Sequence, residues 1–313
     1  MRIIFIGTGE IGLPALHALT KAPEHHVLAV VTQPDRPVGR QLKLASSPIK
    51  EAAFKLHLKI YQPEKIGGAT SVAQLKYLKP DLIVVAAYGQ ILTKEILELP
   101  KYGCLNIHAS LLPKYRGASP IHAAVAAGEK QSGVTIMWMD EGLDTGDILL
   151  QEAVPLRRRE TAESLHDRLA QLGATALLKA IPLVETGNAP RIVQDKEKAT
   201  MTKKLCKEDG HINWDRPQRE IEAHIRAMTH WPSAYAWIPQ ESDHKMLKIF
   251  STIVSRRAKG KPGEVMRVDR HGILVAAKVG GLLLREVQLE GKKRMHAAEF
   301  ARGFNLPAGL VLE

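Results

Sequence analysis

In the run CLNIHASLLPKYRGASP, Asn106, His108 and Ser110 recur at every second position, so a strand through them turns an amide, an imidazole and a hydroxyl to one face. Asp144 follows in the glycine-flanked turn Gly142-Leu143-Asp144-Thr145-Gly146, after the apolar run 134–139. Ser110 precedes Leu-Leu-Pro and sits in no G-x-S-x-G turn, so acyl-enzyme chemistry has no support. An amide, an imidazole and a carboxylate without a covalent nucleophile suit attack by an external amine on an activated carbonyl. The N–H groups of Asn106 and His108 would steady the oxyanion of the tetrahedral intermediate, and Asp144 would accept the amine proton directly or through water.

Such a set needs a sheet to hold it. Strands are expected at 3–6, 27–32, 82–86, 105–107 and 134–139, with helices at 13–21, 48–56, 69–78 and 120–127 between them. Alternation of this kind predicts a doubly wound, mostly parallel α/β sheet, whose ligands sit at the carboxyl ends of the strands. A long helix is expected from Thr161, with Pro182 kinking or ending it and Gly187 closing the segment. The polar stretch 188–205 reads as a linker between a domain at 1–187 and another at 206–313. Beyond a helix at 217–228, short alternating runs at 234–238, 247–254, 263–268, 273–277 and 281–289 predict a small β-barrel or sandwich.

The opening GTGEIG matches G-x-G-x-x-G and raises the prospect of a dinucleotide. That reading needs an acidic residue at the end of the second strand, whereas Asp35 comes after Pro34 in a loop. The glycines are therefore expected to serve a tight turn and close helix–strand packing.

The 313 residues carry 44 Lys and Arg against 33 Asp and Glu, a formal net charge of +11. Residues 201–313 hold 20 basic and 13 acidic side chains, so the last third carries most of the excess and points to a polyanionic partner there. The runs 256–261 and 292–294 are its basic clusters, while Arg157-Arg158-Arg159 reads as a solvated run. Two distant cysteines, Cys104 and Cys206, suggest packing roles in a reducing cytoplasm. No apolar stretch is long enough for a bilayer, no signal-peptide pattern opens the chain, and the 13 histidines form no metal pattern.

Asn106-Ile107-His108 running into Ser110-Leu111-Leu112-Pro113-Lys114-Tyr115-Arg116-Gly117-Ala118, with GVTIMWMDEGLDTGDIL downstream, resembles the folate-dependent formyltransferase family. The resemblance implies catalytic roles for Asn106, His108 and Asp144, with Asp144 governing the protonation of His108. It also implies a tetrahydrofolate site that includes Ser110, Leu111, Leu112 and Pro113, and a pterin-side loop through Tyr88, Gly89, Gln90, Ile91 and Leu92. The basic loop 32–50, the intact GLDTGDIL and the junction 204–217 resemble the branch that acts on methionyl-tRNA, apart from Asn213 where Asp is expected.

That branch implies a Rossmann-like catalytic domain, a C-terminal barrel of oligonucleotide-binding (OB) type, and 10-formyltetrahydrofolate as co-substrate without a metal. Its acceptor would be methionyl initiator tRNA, held at the acceptor stem by Arg36, Arg40 and Lys43. The sequence leaves the oligomeric state open, with a monomer favoured. A sugar-nucleotide formyltransferase would share the folate donor but need neither the basic loop nor a basic barrel. A nicotinamide dehydrogenase would rest on GTGEIG alone, and a tRNA-binding module would have no use for the Asn106, His108 and Asp144 set.

Overall fold

Continuous runs of Ile, Val and Leu can be buried on both faces only inside a covered sheet, and that is where they lie. The structure, a computed structural model, describes residues 1–38, 43–240, 244–304 and 306–313. The chain forms two compact units, one of residues 1–120, 131–155 and 166–202, the other of 121–130, 156–165 and 203–313.

The first unit is built on strands β1 (Arg2–Gly7), β2 (His26–Val31), β5 (Ile60–Tyr61), β6 (Leu82–Ala86), β7 (Cys104–His108), β9 (Gln131–Trp138) and β10 (Ile148–Pro155). They form one sheet in the order β10-β9-β7-β6-β1-β2-β5. Strands β5, β2, β1, β6 and β7 are mutually parallel, while β9 and β10 are antiparallel additions at one side. Helices α1 (Leu13–Lys21), α2 (Pro48–Lys55) and α3 (Ala69–Tyr77) connect the first strands. Two-stranded ribbons pair β3 (Arg36–Val38) with β4 (Lys43–Ala45) and β8 (Arg116–Gly117) with β11 (Met201–Thr202). Winding runs outward from β1 to β5 and then returns to β6 on the other side of β1. At such a reversal an open α/β sheet takes its ligand, here at the carboxyl ends of β1 and β6, beside the end of β7.

Short helices α4 (Lys94–Leu97) and α5 (Pro120–Ala126) precede the long α6 (Ala162–Glu185). Thr161 caps α6 reciprocally: its Oγ1 accepts from Ser164 N at 3.1 Å and Ser164 Oγ accepts from Thr161 N at 3.0 Å. The helix neither ends nor is interrupted at Pro182, which stands in the final turn and removes a single backbone bond. The stretch expected as a linker also differs. Within it Ile192 bridges Ile148, Gln194 is buried and Met201–Thr202 pairs with Arg116–Gly117, so residues 188–202 belong to the first unit. The side chains of Gln194 and Thr202 bond backbone groups of that unit.

In the second unit α7 (Gln218–Ala227) accompanies an antiparallel sheet of β12 (Ala234–Ile238), β13 (Lys245–Ser255), β14 (Val265–Asp269), β15 (Gly272–Ala276) and β16 (Gly281–Leu289). The order is β12-β13-β16-β15-β14, with β17 (Met295–His296) on β16 and α8 (Ala297–Gly303) following. Leu247, Ile249, Val265, Val275, Leu282, Leu284 and Val287 are fully buried in its core. The C-terminal residues reach both edges of this sheet: Val265 N donates to Leu310 O at 2.7 Å, and Trp237 N donates to Glu313 O at 2.7 Å. Among the described residues no helix is long and apolar enough to cross a membrane.

Candidate active site

Strand β7 places Asn106 and His108 at the carboxyl edge of the sheet, with Asn106 beside Val85 of β6 and Met137 of β9. His108 is buried and Asn106 half-buried. The turn after β9 brings Asp144 back to them. Asp140 holds that turn, accepting from Gly142 N at 3.1 Å and from Thr145 Oγ1 at 2.7 Å.

The carboxylate of Asp144 meets three groups. Its Oδ1 lies 3.4 Å from Asn106 Nδ2, and its Oδ2 accepts from Gly117 N at 2.7 Å and faces His108 Nδ1 at 3.5 Å. His108 Nε2 is 2.9 Å from the main-chain oxygen of Tyr115, which can only accept, so Nε2 carries the proton there. Both ring nitrogens are thus engaged within the protein. Gly117, at φ +103°, is the close approach that makes this possible, since a Cβ there would stand 2.3 Å from Thr202 O.

The segment 110–113 is a framework as much as a surface. Ser110 is buried and its Oγ donates to Lys114 O at 2.6 Å. Leu112 is packed with Met137 and Ile148, while Leu111 and Pro113 are half-buried. Thr135 and Gln151 hold the loop through the Leu112 backbone, by Leu112 N to Thr135 Oγ1 at 3.1 Å and Gln151 Nε2 to Leu112 O at 2.9 Å.

The segment after β6 splits likewise. Tyr88 and Leu92 join the apolar core, where burial pushes the Tyr88 phenol up to about 12. Gln90 ties neighbouring loops, its Oε1 accepting from Ile66 N and its Nε2 donating to Glu64 O. Gly89 is exposed at φ +87°, and Ile91 is 75% exposed, as is about half of Leu143 next to Asp144.

GTGEIG is occupied by the protein itself. The N–H groups of Thr8 and Gly9 donate to Ala87 O at 3.2 and 3.4 Å, and a Cβ on Gly7 would meet that strand's Ala86 O at 2.8 Å. The glycines therefore let the turn press against the end of β6, as the packing reading expected. Asp35 is bound by Lys50 and Gln62, and the Lys50 ammonium holds its carboxyl below the usual range. Arg36 is exposed on the β3–β4 ribbon and Lys43 opens β4, whereas Arg40 lies outside the described residues. The basic run 256–261 is exposed except for Ala258, and Arg294 stacks over Phe250 and pairs with Glu286. Asn213, the departure from the expected Asp, accepts from Asp215 N at 2.9 Å, a task that either side chain performs.

Several residues of the site carried no signal as such: the Gly117 N–H, the Tyr115 carbonyl, Arg116, Gln194 and Thr200. Thr200 accepts from Tyr115 N at 2.8 Å, and Gln194 donates to Asp144 O at 2.8 Å. Arg116 and Gly117 lie in the quoted motif and were open to suspicion. Gln194 and Thr200 sit in a polar stretch without periodicity and were not.

Comparison with known proteins bears on this arrangement. Residues 1–181 match the formyl transferase family, and residues 204–305 match the formyl transferase C-terminal domain. A methionyl-tRNA formyltransferase of Methylacidiphilum infernorum is 54% identical over 313 residues, covering 100% of this chain and 98% of that protein. One from Pelotomaculum thermopropionicum is 48% identical, again over 100% and 98%. In fold the chain is similar to the crystal structure of WlaRD, a sugar 3N-formyl transferase in the presence of dTDP and 5-N-formyl-THF. The TM-score is 0.66 at 21% identity, covering 94% of this chain and 99% of the other. With the sheet, the polar trio and both domain matches in agreement, the chain belongs to the formyl transferase family.

Proposed function

We propose that this protein transfers the formyl group of 10-formyltetrahydrofolate to the amino group of methionyl initiator tRNA; relatives named methionyl-tRNA formyltransferase support the reaction and the acceptor. The observation that carries the chemistry is the meeting of Asn106, His108 and Asp144 at the end of β7. The folate donor supplies an activated formyl carbon; the residues present fit it, a polar trio at the end of β7 together with the exposed apolar side chains of Ile91 and Leu143. The Asn106 amide, the least buried of the trio's donors, steadies oxygen charge as the amine attacks. His108 joins it by exchanging the Tyr115 carbonyl for the developing oxyanion. Asp144, facing His108 Nδ1, orients the ring and takes the proton that the amine gives up. Ser110 to Pro113 and Tyr88 to Leu92 shape the folate side largely through backbone, because Ser110, Leu112, Tyr88 and Leu92 are buried.

On this reading Arg36, Arg40 and Lys43 meet the acceptor stem of the tRNA. The family matches support a catalytic domain that takes in the strap 188–202, followed by a tRNA-binding domain at 206–313. The second unit is read as a barrel of OB type, supported by the C-terminal residues that bond both edge strands of its sheet. The enzyme is read as cytoplasmic, with its oligomeric state open and a monomer favoured. The test offers 10-formyltetrahydrofolate with charged initiator tRNA in one reaction and with a nucleotide-linked amino sugar in another. Formylmethionyl-tRNA in the first alone is expected; a formylated sugar alone would reverse the assignment.

A further inference from the structure

The primary amide of Gln194 uses all of its hydrogen-bonding capacity inside the site. Its Nε2 donates to the main-chain oxygens of Asp144 at 2.8 Å and Gly146 at 2.7 Å. Its Oε1 accepts from Arg116 Nε at 3.0 Å and Nη2 at 2.8 Å. Two donors and two acceptor positions are what an amide has. Gln194 is 4% exposed and Arg116 8%, so none of these bonds competes with bulk water.

These contacts close a ring. Asp144 is held by its carbonyl to Gln194, Gln194 to the Arg116 side chain, and the next residue, Gly117, donates its N–H back to the Asp144 carboxylate at 2.7 Å. Arg116 is itself stitched to the same strap, its N donating to Thr200 O at 2.8 Å and its O accepting from Thr202 Oγ1 at 3.0 Å. Asp144 sits at φ +54°, a conformation that a non-glycine residue keeps only when its surroundings enforce it. Gln194 is the side chain that grips the carbonyls on both sides of the Asp144–Gly146 turn.

We propose that Gln194 is a positioning residue, fixing Asp144 against Gly117 and His108 by clamping the turn that carries it to the segment that receives it. The consequence for rate rests on the function proposed above; the consequence for geometry does not. Gln194→Glu keeps an acceptor for Arg116 but has no amide N–H for the two carbonyls. Gln194→Ala loses both halves of the clamp. Each variant is expected to lower kcat for formylation about 10–100-fold with KM for both substrates little changed, because a small misplacement of a reacting group is costly. The Cε1–H proton resonance of His108, assigned by its loss in His108→Gln, should shift in Gln194→Glu while that of His271 stays in place.

A kcat within about twofold of wild type in Gln194→Glu, or an unmoved His108 resonance, overturns the proposal. So does a rise in KM with kcat preserved. Wild-type protein that formylates no charged tRNA, while the resonance still moves, would defeat the proposed function and leave the positioning role standing.

Discussion

His108 Nδ1 stands 3.5 Å from Asp144 Oδ2, and the opposite ring nitrogen is 2.9 Å from the carbonyl of Tyr115. The pair forms because β9 runs antiparallel beside β7, and the turn that follows β9 carries Asp144 back to Asn106 and His108. His108→Gln retains a donor for the Tyr115 carbonyl but offers no imidazole to Asp144. Steady-state formylation should show kcat lowered on the order of 100-fold, with the urea unfolding midpoint near that of wild type. An unchanged kcat would remove His108 from the chemistry.

Gly117 stands between two demands, a positive φ and the approach of Thr202 O to 2.3 Å from where a Cβ would be. Gly117→Ala should destabilise the fold by about 1–3 kcal/mol and displace the N–H that holds Asp144. Urea unfolding followed by fluorescence, alongside kcat, should report both losses. A variant of wild-type stability would mean the backbone relaxes at no cost.

The two thiols should differ sharply. Burial pushes Cys104 up to about 12, leaving almost no thiolate at neutral pH, and its Sγ points at the carbonyls of Ile96 and Leu97. Cys206 is exposed, although its carboxylate neighbours Glu208 and Asp209 also raise it. Iodoacetamide on native protein should label Cys206 slowly and Cys104 only after unfolding. Mass spectrometry of the labelled peptides decides, and early label on Cys104 would contradict the packing.

Asp209 is pulled down to about 2, first by the Lys203 ammonium and then by the N–H of Cys206. A carboxyl depressed in the folded state adds stability above its unfolded value of 3.8, and that contribution fades as pH falls towards about 2. Wild type should therefore exceed Asp209→Asn in urea midpoint at about pH 5, with the gap closing near about pH 2. A gap that persists in acid would assign the effect to packing.

The sheet was legible because its strands are apolar runs that need cover on both faces: the runs at 3–6 and 82–86 lie within β1 and β6. Asn106, His108 and Asp144 were legible because alternation on a strand and a glycine-rich turn limit where side chains point. The ribbons β3–β4 and β8–β11 were not, since two or three residues cannot display a period. Strand β10 was missed because Gln151 and Glu152 interrupt its apolar run at a sheet edge. The strap 188–202 was misread as a linker because side chains such as Gln194 and Thr200 look solvated in sequence, while in the fold they satisfy backbone groups. Pro182 was expected to matter more than it does, being so near the helix end.

Single-turnover formylation of charged initiator tRNA by wild type, Asn106→Ala, Asp144→Asn and the double variant tests the trio most directly. Wild type should form formylmethionyl-tRNA, each single variant should lose about 100-fold or more, and the double should fall little further, as residues acting as one unit do. A near-normal rate in either single variant, or losses that multiply in the double, would contradict a shared site at the end of β7.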